Sequence, residues 1–150
     1  MPFEEKMTWV SLVVAVLVPS AYVVVMLGRL GETSAAEISY QWPLLIALGA
    51  SVVLSILGAI VAAAGTAISA EVRGKSASDE IDRKDERDKQ ISRHGDLVGF
   101  YVSSGGMVGV LALTMLEYDY FWIASALYLS FAVGTLVGSL VKLVAYRRGF

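Results

Sequence analysis

The chain has 150 residues, a formal net charge of −2 and no cysteine. Its hydrophobic content of 56% is more than a soluble domain of this size can bury, because a small domain keeps much of its surface in water. The small net charge gives no reason to expect direct nucleic-acid binding, and the missing cysteines exclude disulfides and thiolate zinc sites. We therefore expect residues 1–150 to form a single membrane domain.

Four long apolar segments make up most of the chain. Each is long enough to cross a hydrocarbon core of ~30 Å at ~1.5 Å per residue of helix. The first segment continues beyond the length of a signal-peptide core, so we expect it to stay in the protein. The predicted fold is an all-α integral membrane four-helix bundle. Its spans are predicted at residues 7–27, 43–69, 97–116 and 121–145.

A strongly charged segment separates the second span from the third. Neither glycine nor proline interrupts residues 77–94. Ser78 is a suitable N-cap, and acids follow it in the first turn, where the helix dipole favours them. The pattern predicts a charged cytoplasmic helix over residues 78–94, which is free to continue into the third span.

The distribution of lysine and arginine predicts the orientation. If the N-terminus is cytoplasmic, the loop after the first span holds only Arg29, and all other lysines and arginines lie on the cytoplasmic side. Positive residues accumulate in cytoplasmic loops. We therefore expect a multi-pass protein of the cytoplasmic (inner) membrane, embedded in the lipid bilayer, with both termini in the cytoplasm.

Small residues repeat at four-residue spacing along the predicted spans. Lipid is as apolar as leucine, so membrane helices associate through close packing of small side chains. Candidate packing residues are Ser51 and Ser55 in the second span and Gly134 and Gly138 in the fourth. This pattern suits packing within the bundle, and it equally suits a homodimer through the fourth helix.

The spans offer little chemistry. They contain no Asp, Glu, Arg or His, whereas proton-coupled carriers usually place an ionisable group at membrane depth. His94 is the sole histidine, too little for a metal site or a hydrolase triad. We expect no catalytic residue, metal or cofactor, and no enzyme activity. Tyr22, Tyr101 and Tyr128 are the large polar-tipped side chains in the spans; they suit hydrogen bonds between helices or contact with a lipid or other ligand.

The charged helix admits two interpretations. It could be a solvated stalk, or it could be a docking surface for a cytoplasmic protein. Its densest mixed-charge patch is Asp85-Glu86-Arg87-Asp88, followed by Ile91.

This patch, together with Phe100-Tyr101 in the next span, resembles a family of small prokaryotic membrane proteins of uncharacterised function. They have four predicted helices and an Asp-Glu-Arg-Asp/Glu-x-x-Ile signature on the cytoplasmic segment before a span. Some are encoded beside small helix-turn-helix regulators, so the resemblance implies a membrane partner of a DNA-binding protein. It implies no catalytic residue.

The sequence thus leads first to a non-enzymatic membrane protein that acts as a sensor or docking partner for a cytoplasmic, regulatory protein. The alternative is a small lipid or hydrophobic-ligand binding or transport protein, which predicts a cavity between the helices. A structural subunit of a larger complex is a third hypothesis.

Overall fold

The computed structural model of the protein describes residues 3–72 and 86–148. Those residues form four long α-helices and no strand. All four helices are long and apolar enough to cross a membrane, which confirms the predicted all-α four-helix membrane bundle. The helices are α1 (Phe3–Leu30), α2 (Gln41–Val72), α3 (Glu86–Met115) and α4 (Tyr120–Arg148).

α1, α2 and α4 extend beyond their predicted spans at both ends, whereas α3 begins earlier than the predicted third span and ends one residue before its predicted end. α1 begins with Glu4 and Glu5 and ends near Arg29, charges that suit the two ends of the helix dipole. It continues through Pro19, which a membrane helix tolerates when neighbouring helices support it. α3 begins at Glu86 and runs without a break into the third span. Residues 78–85 of the predicted charged helix lie outside the described residues.

The turn between α3 and α4 is short and tightly bonded. Glu117 adopts a left-handed conformation with φ of 56°. The Tyr118 amide donates to the Leu113 carbonyl at 3.1 Å, the bond that closes a Schellman-type helix end. At the next residue, the Asp119 carbonyl accepts from the Trp122 amide at 2.9 Å, where α4 begins. α3 and α4 are therefore an antiparallel pair.

The closely packed pairs of described helices are α1 with α2, α1 with α4, and α3 with α4. The packing order is therefore α2, α1, α4, α3, with α2 and α3 in the outer positions. Along their most apolar windows, α2 buries the smallest share of its residues and α4 the largest. This order leaves space between α2 and α4 beside α1.

An apolar core lies where α1, α2 and α4 meet, near the connection between α1 and α2. Its members come from those three helices and from the connection itself. They are Val18, Tyr22, Met26, Ile38, Ala47, Phe121 and Tyr128.

Candidate functional site

A partly enclosed cavity of about 660 Å³ lies between α1, α2 and α4. Its walls are mostly apolar, with Val14 from α1, Leu48 from α2 and Phe131 from α4 among them. Ligand pockets in proteins usually measure about 300–1,000 Å³ and have apolar walls with a few polar groups. This space, called the central cavity below, has the size and lining of such a pocket.

Tyr128 supplies the most unusual polar group of the central cavity. Its side chain is only 8% exposed, and its hydroxyl makes no hydrogen bond of acceptable geometry within the described part of the chain, although the Ser51 hydroxyl lies close by. Leaving a buried hydroxyl unpaired costs about 1–3 kcal/mol. Such a group is rare enough in folded proteins to call for an explanation, for example a ligand or water that completes the bond.

Tyr22 lies next to Tyr128 but is fully satisfied. Its hydroxyl and the Ser125 hydroxyl share a buried hydrogen bond of 2.8 Å between α1 and α4. The two tyrosine rings meet edge to face, with centroids 5.1 Å apart. The Tyr22 bond and this ring contact fix the position of the Tyr128 ring, so that its unpaired hydroxyl is held at the cavity wall.

Ser51 and Ser55 also line the central cavity. Ser51 donates its hydroxyl proton to the Ala47 carbonyl at 2.8 Å, and Ser55 donates to the Ser51 carbonyl at 2.7 Å. The donors are used, but each hydroxyl oxygen remains an acceptor. The sequence suggested that these serines pack against another helix; in the structure they form part of a cavity wall.

Gly134 and Gly138 lie in a close backbone contact between α3 and α4. A Cβ atom added to Gly99 of α3 would lie 2.7 Å from the Gly134 carbonyl oxygen, and one added to Gly138 would lie 2.8 Å from the Gly95 carbonyl oxygen. The glycine stripe of α4 is therefore covered by α3 of the same chain. A homodimer through the fourth helix stays a prediction, and it would have to use a different face of that helix.

Tyr101 lies apart from the other two candidate tyrosines. It is 65% exposed and its ring contacts Phe100, with centroids 6.1 Å apart. The structure thus brings Tyr22 and Tyr128 together at the central cavity and leaves Tyr101 on the outer surface of α3.

Only some residues of the predicted docking patch are exposed in the described part of the chain. Asp85 lies outside the described residues. Glu86 and Arg87 are exposed at the start of α3, and Glu86 pairs with Lys89 at 3.3 Å. Asp88 is half-buried. Ile91 has an exposed fraction of 1%, so its side chain packs inside the protein and is not offered to a partner.

The structure also shows an ion pair that sequence analysis missed. Lys142 of α4 binds Asp96 of α3 at 2.6 Å, and Ser92 donates to Asp96 at 3.2 Å. Because α3 and α4 are antiparallel and joined by a short turn, Asp96 and Lys142 lie at the same end of the pair. The ion pair could therefore have been predicted from the sequence. We call this end of the bundle, which also holds Lys6, Arg147 and Arg148, the base-rich end.

Two further polar residues of the central cavity were also missed, namely Ser11 of α1 and Thr135 of α4. Hydroxyl residues are common in membrane helices, so nothing in the sequence separates them from residues that face lipid. In the described ranges, no group of three His, Asp or Glu side chains could hold a metal ion.

Comparison with protein-family models, with curated proteins and with solved structures finds no match for this chain. The resemblance at Asp85–Ile91 therefore stays a prediction. Fold and site together define the class: an all-α membrane protein with four candidate spans and a mostly apolar cavity between three of its helices.

Proposed function

We propose that the protein binds a hydrophobic ligand, either a membrane lipid or a small apolar molecule, in the central cavity. The observation that carries this proposal is the buried Tyr128 hydroxyl, which has no partner among the described residues and lies at the wall of a cavity of about 660 Å³. A ligand oxygen or nitrogen that hydrogen-bonds to this hydroxyl would remove the energetic penalty of its burial.

The lining also limits the chemistry of the bound part. Among the described residues, none that lines the central cavity is Asp, Glu, Lys or Arg. A charged group would be expensive to bury there without a partner. The ligand portion in the cavity is therefore uncharged, largely hydrocarbon, and carries one hydrogen-bonding atom near Tyr128, with Ser51 and Ser55 as further acceptors.

The placement in the membrane belongs to the same proposal. Because lysine and arginine favour the cytoplasmic side, the base-rich end faces the cytoplasm of a prokaryotic inner membrane. Ser11 and Thr135 then mark the cytoplasmic part of the cavity, and Leu44 marks the part nearer the opposite side. The ligand would enter from the bilayer, since the spans surround the cavity.

Filling the cavity tests the proposal. Ser51→Phe places a ring in the central cavity, whereas Val53→Phe adds a ring to the same helix at a residue that is 54% exposed and lines no wall of the cavity. Native mass spectrometry of gently purified protein should show an apolar ligand on the wild type and on Val53→Phe, and none on Ser51→Phe. Equal retention by both variants would contradict the proposal.

A second function, docking of a cytoplasmic protein, is favoured by the exposure of Glu86 and Arg87 at the start of α3. Two opposite charges on an exposed helix surface can select a partner by electrostatic complementarity. The double reversal Glu86→Arg with Arg87→Glu keeps the net charge and should remove a stoichiometric cytoplasmic partner without changing membrane insertion. A partner that stays bound to the double variant would remove these residues from the interface.

A further inference from the structure

A second groove, of about 500 Å³, lies at the base-rich end on the outer side of α3 and α4. Its walls are apolar and come from α4, with Val137, Val141 and Val144 along its length. Two polar residues complete the lining, His94 from α3 and Arg148 from the last turn of α4. We call this space the outer groove; it shares no lining residue with the central cavity.

The charged lining of the outer groove is basic because the acids of α3 face other groups. Asp96 is bound to Lys142 at 2.6 Å, and Glu86 is paired with Lys89 at 3.3 Å. Asp88 lies beside Tyr146. None of these acids lines the outer groove, so its charge is complementary to an anion.

The dimensions of the outer groove match one leaflet of a bilayer. It extends along α4 from Val137 to Arg148, which is about 16 Å at ~1.5 Å per residue. Half of a typical hydrocarbon core of ~30 Å is about 15 Å. A basic rim at the helix end and an apolar wall one leaflet deep suit a lipid whose headgroup lies at the membrane surface.

We propose that the outer groove binds an anionic phospholipid of the surrounding membrane. Its phosphate lies at Arg148 and His94, and an acyl chain runs along Val144 and Val141. The planar guanidinium of arginine donates two parallel hydrogen bonds to phosphate oxygens. Basic pockets between membrane helices on the cytoplasmic side recognise such headgroups. This site and the central cavity bind different ligands, so either can fail without the other.

The test uses the full chain reconstituted in bilayers of phosphatidylcholine with phosphatidylglycerol as the minor lipid, followed by native mass spectrometry of the lipids that stay bound. Wild-type protein should retain phosphatidylglycerol in preference to phosphatidylcholine. Arg148→Gln should lower that retention about tenfold, because it removes charge-assisted hydrogen bonds to the phosphate.

Arg147→Gln is the matched control, because it removes the same charge one residue away. The Arg147 guanidinium lies over the Trp9 ring, 5.7 Å from its centroid, and not in the groove. It should leave phosphatidylglycerol retention unchanged. Val141→Trp should reduce phosphatidylglycerol retention without changing the charge, because the larger side chain occupies the groove.

Three results would overturn the proposal: equal loss in Arg147→Gln and Arg148→Gln, full retention by Val141→Trp, or no preference of the wild type for phosphatidylglycerol. Thermal unfolding of each variant separates these results from loss of the fold.

Discussion

The two sides of α4 show how differently small residues can be used in one membrane protein. Towards α3, glycines of both helices meet, and a Cβ on Gly99 would come within 2.7 Å of the Gly134 carbonyl oxygen. Towards α2, the small residues Ser51 and Ser55 meet no glycine stripe and line a cavity of about 660 Å³ instead. Close packing needs small residues on both partners. On this side α4 presents Ala124 and Ala132 together with the bulky Tyr128 and Phe131, and the result here is a cavity.

Enlarging a glycine of the close contact should have the largest effect. In Gly134→Leu the new Cβ atom would collide with the Ser103 hydroxyl and lie 2.7 Å from the Gly99 carbonyl oxygen. Overpacking on this scale costs about 3 kcal/mol or more, so we expect a strongly lowered unfolding temperature in detergent.

The matched control is Gly105→Leu on α3, because nothing lies within 4 Å of a Cβ at Gly105. It should unfold close to the wild-type temperature. Equal tolerance of both substitutions would show that the α3–α4 contact does not hold the bundle together.

The two tyrosines at the central cavity should respond with opposite signs in ligand-free protein. Tyr22→Phe leaves the buried Ser125 hydroxyl without its partner, which costs about 1–2 kcal/mol. Tyr128→Phe removes a hydroxyl that has no partner among the described residues, so stability should stay the same or rise. The unfolding temperatures of the two delipidated variants, compared with that of the wild type, test both expectations. A loss of stability in Tyr128→Phe as large as in Tyr22→Phe would mean that the Tyr128 hydroxyl is bonded within the protein.

A smaller effect is expected from the ion pair that joins α3 and α4 at the base-rich end. Asp96 is 67% exposed at its side chain, so solvent screens its attraction to Lys142. Asp96→Asn should lower the free energy of unfolding by about 0.5–1 kcal/mol, and less at high salt. A double-mutant cycle with Lys142→Met measures the pair itself, and a coupling free energy of zero would assign the α3–α4 contact to glycine packing alone.

The smallest effect concerns the turn that joins the two tightly packed helices. Glu117 has a φ of 56°, which is unfavourable for a residue with a Cβ and easy for glycine. Glu117→Gly should stabilise the protein by about 0.5 kcal/mol, because the relieved strain exceeds the extra backbone entropy of glycine in the unfolded chain. A lower unfolding temperature would instead assign a stabilising contact to the Glu117 side chain.

Length and hydropathy were sufficient to predict the four helices, because a membrane span needs about 20 apolar residues whatever its neighbours are. The glycine stripe at Gly134 and Gly138 was also visible, since residues four apart lie on one face of a helix. The sequence did not show which helix covers that stripe, because in lipid the outer face of a helix is as apolar as its inner face.

The same limit explains why the candidate site could not be predicted residue by residue. Tyr101 and Tyr128 look alike in the sequence, yet one is 65% exposed and the other 8%. Ile91 looked like part of a charged surface, yet only 1% of it is exposed. The central cavity depends on the distance between α2 and α4, and no single residue type indicates that distance.

The measurement that tests the central claim most directly compares ligand retention in wild type, Tyr128→Phe and Tyr101→Phe by native mass spectrometry. Both variants lose one tyrosine hydroxyl, but only Tyr128 lines the central cavity. Loss of one buried hydrogen bond should weaken binding up to about tenfold. We expect an apolar ligand on the wild type and on Tyr101→Phe, and clearly less on Tyr128→Phe. Equal retention by all three proteins, or no ligand on the wild type, would contradict the account.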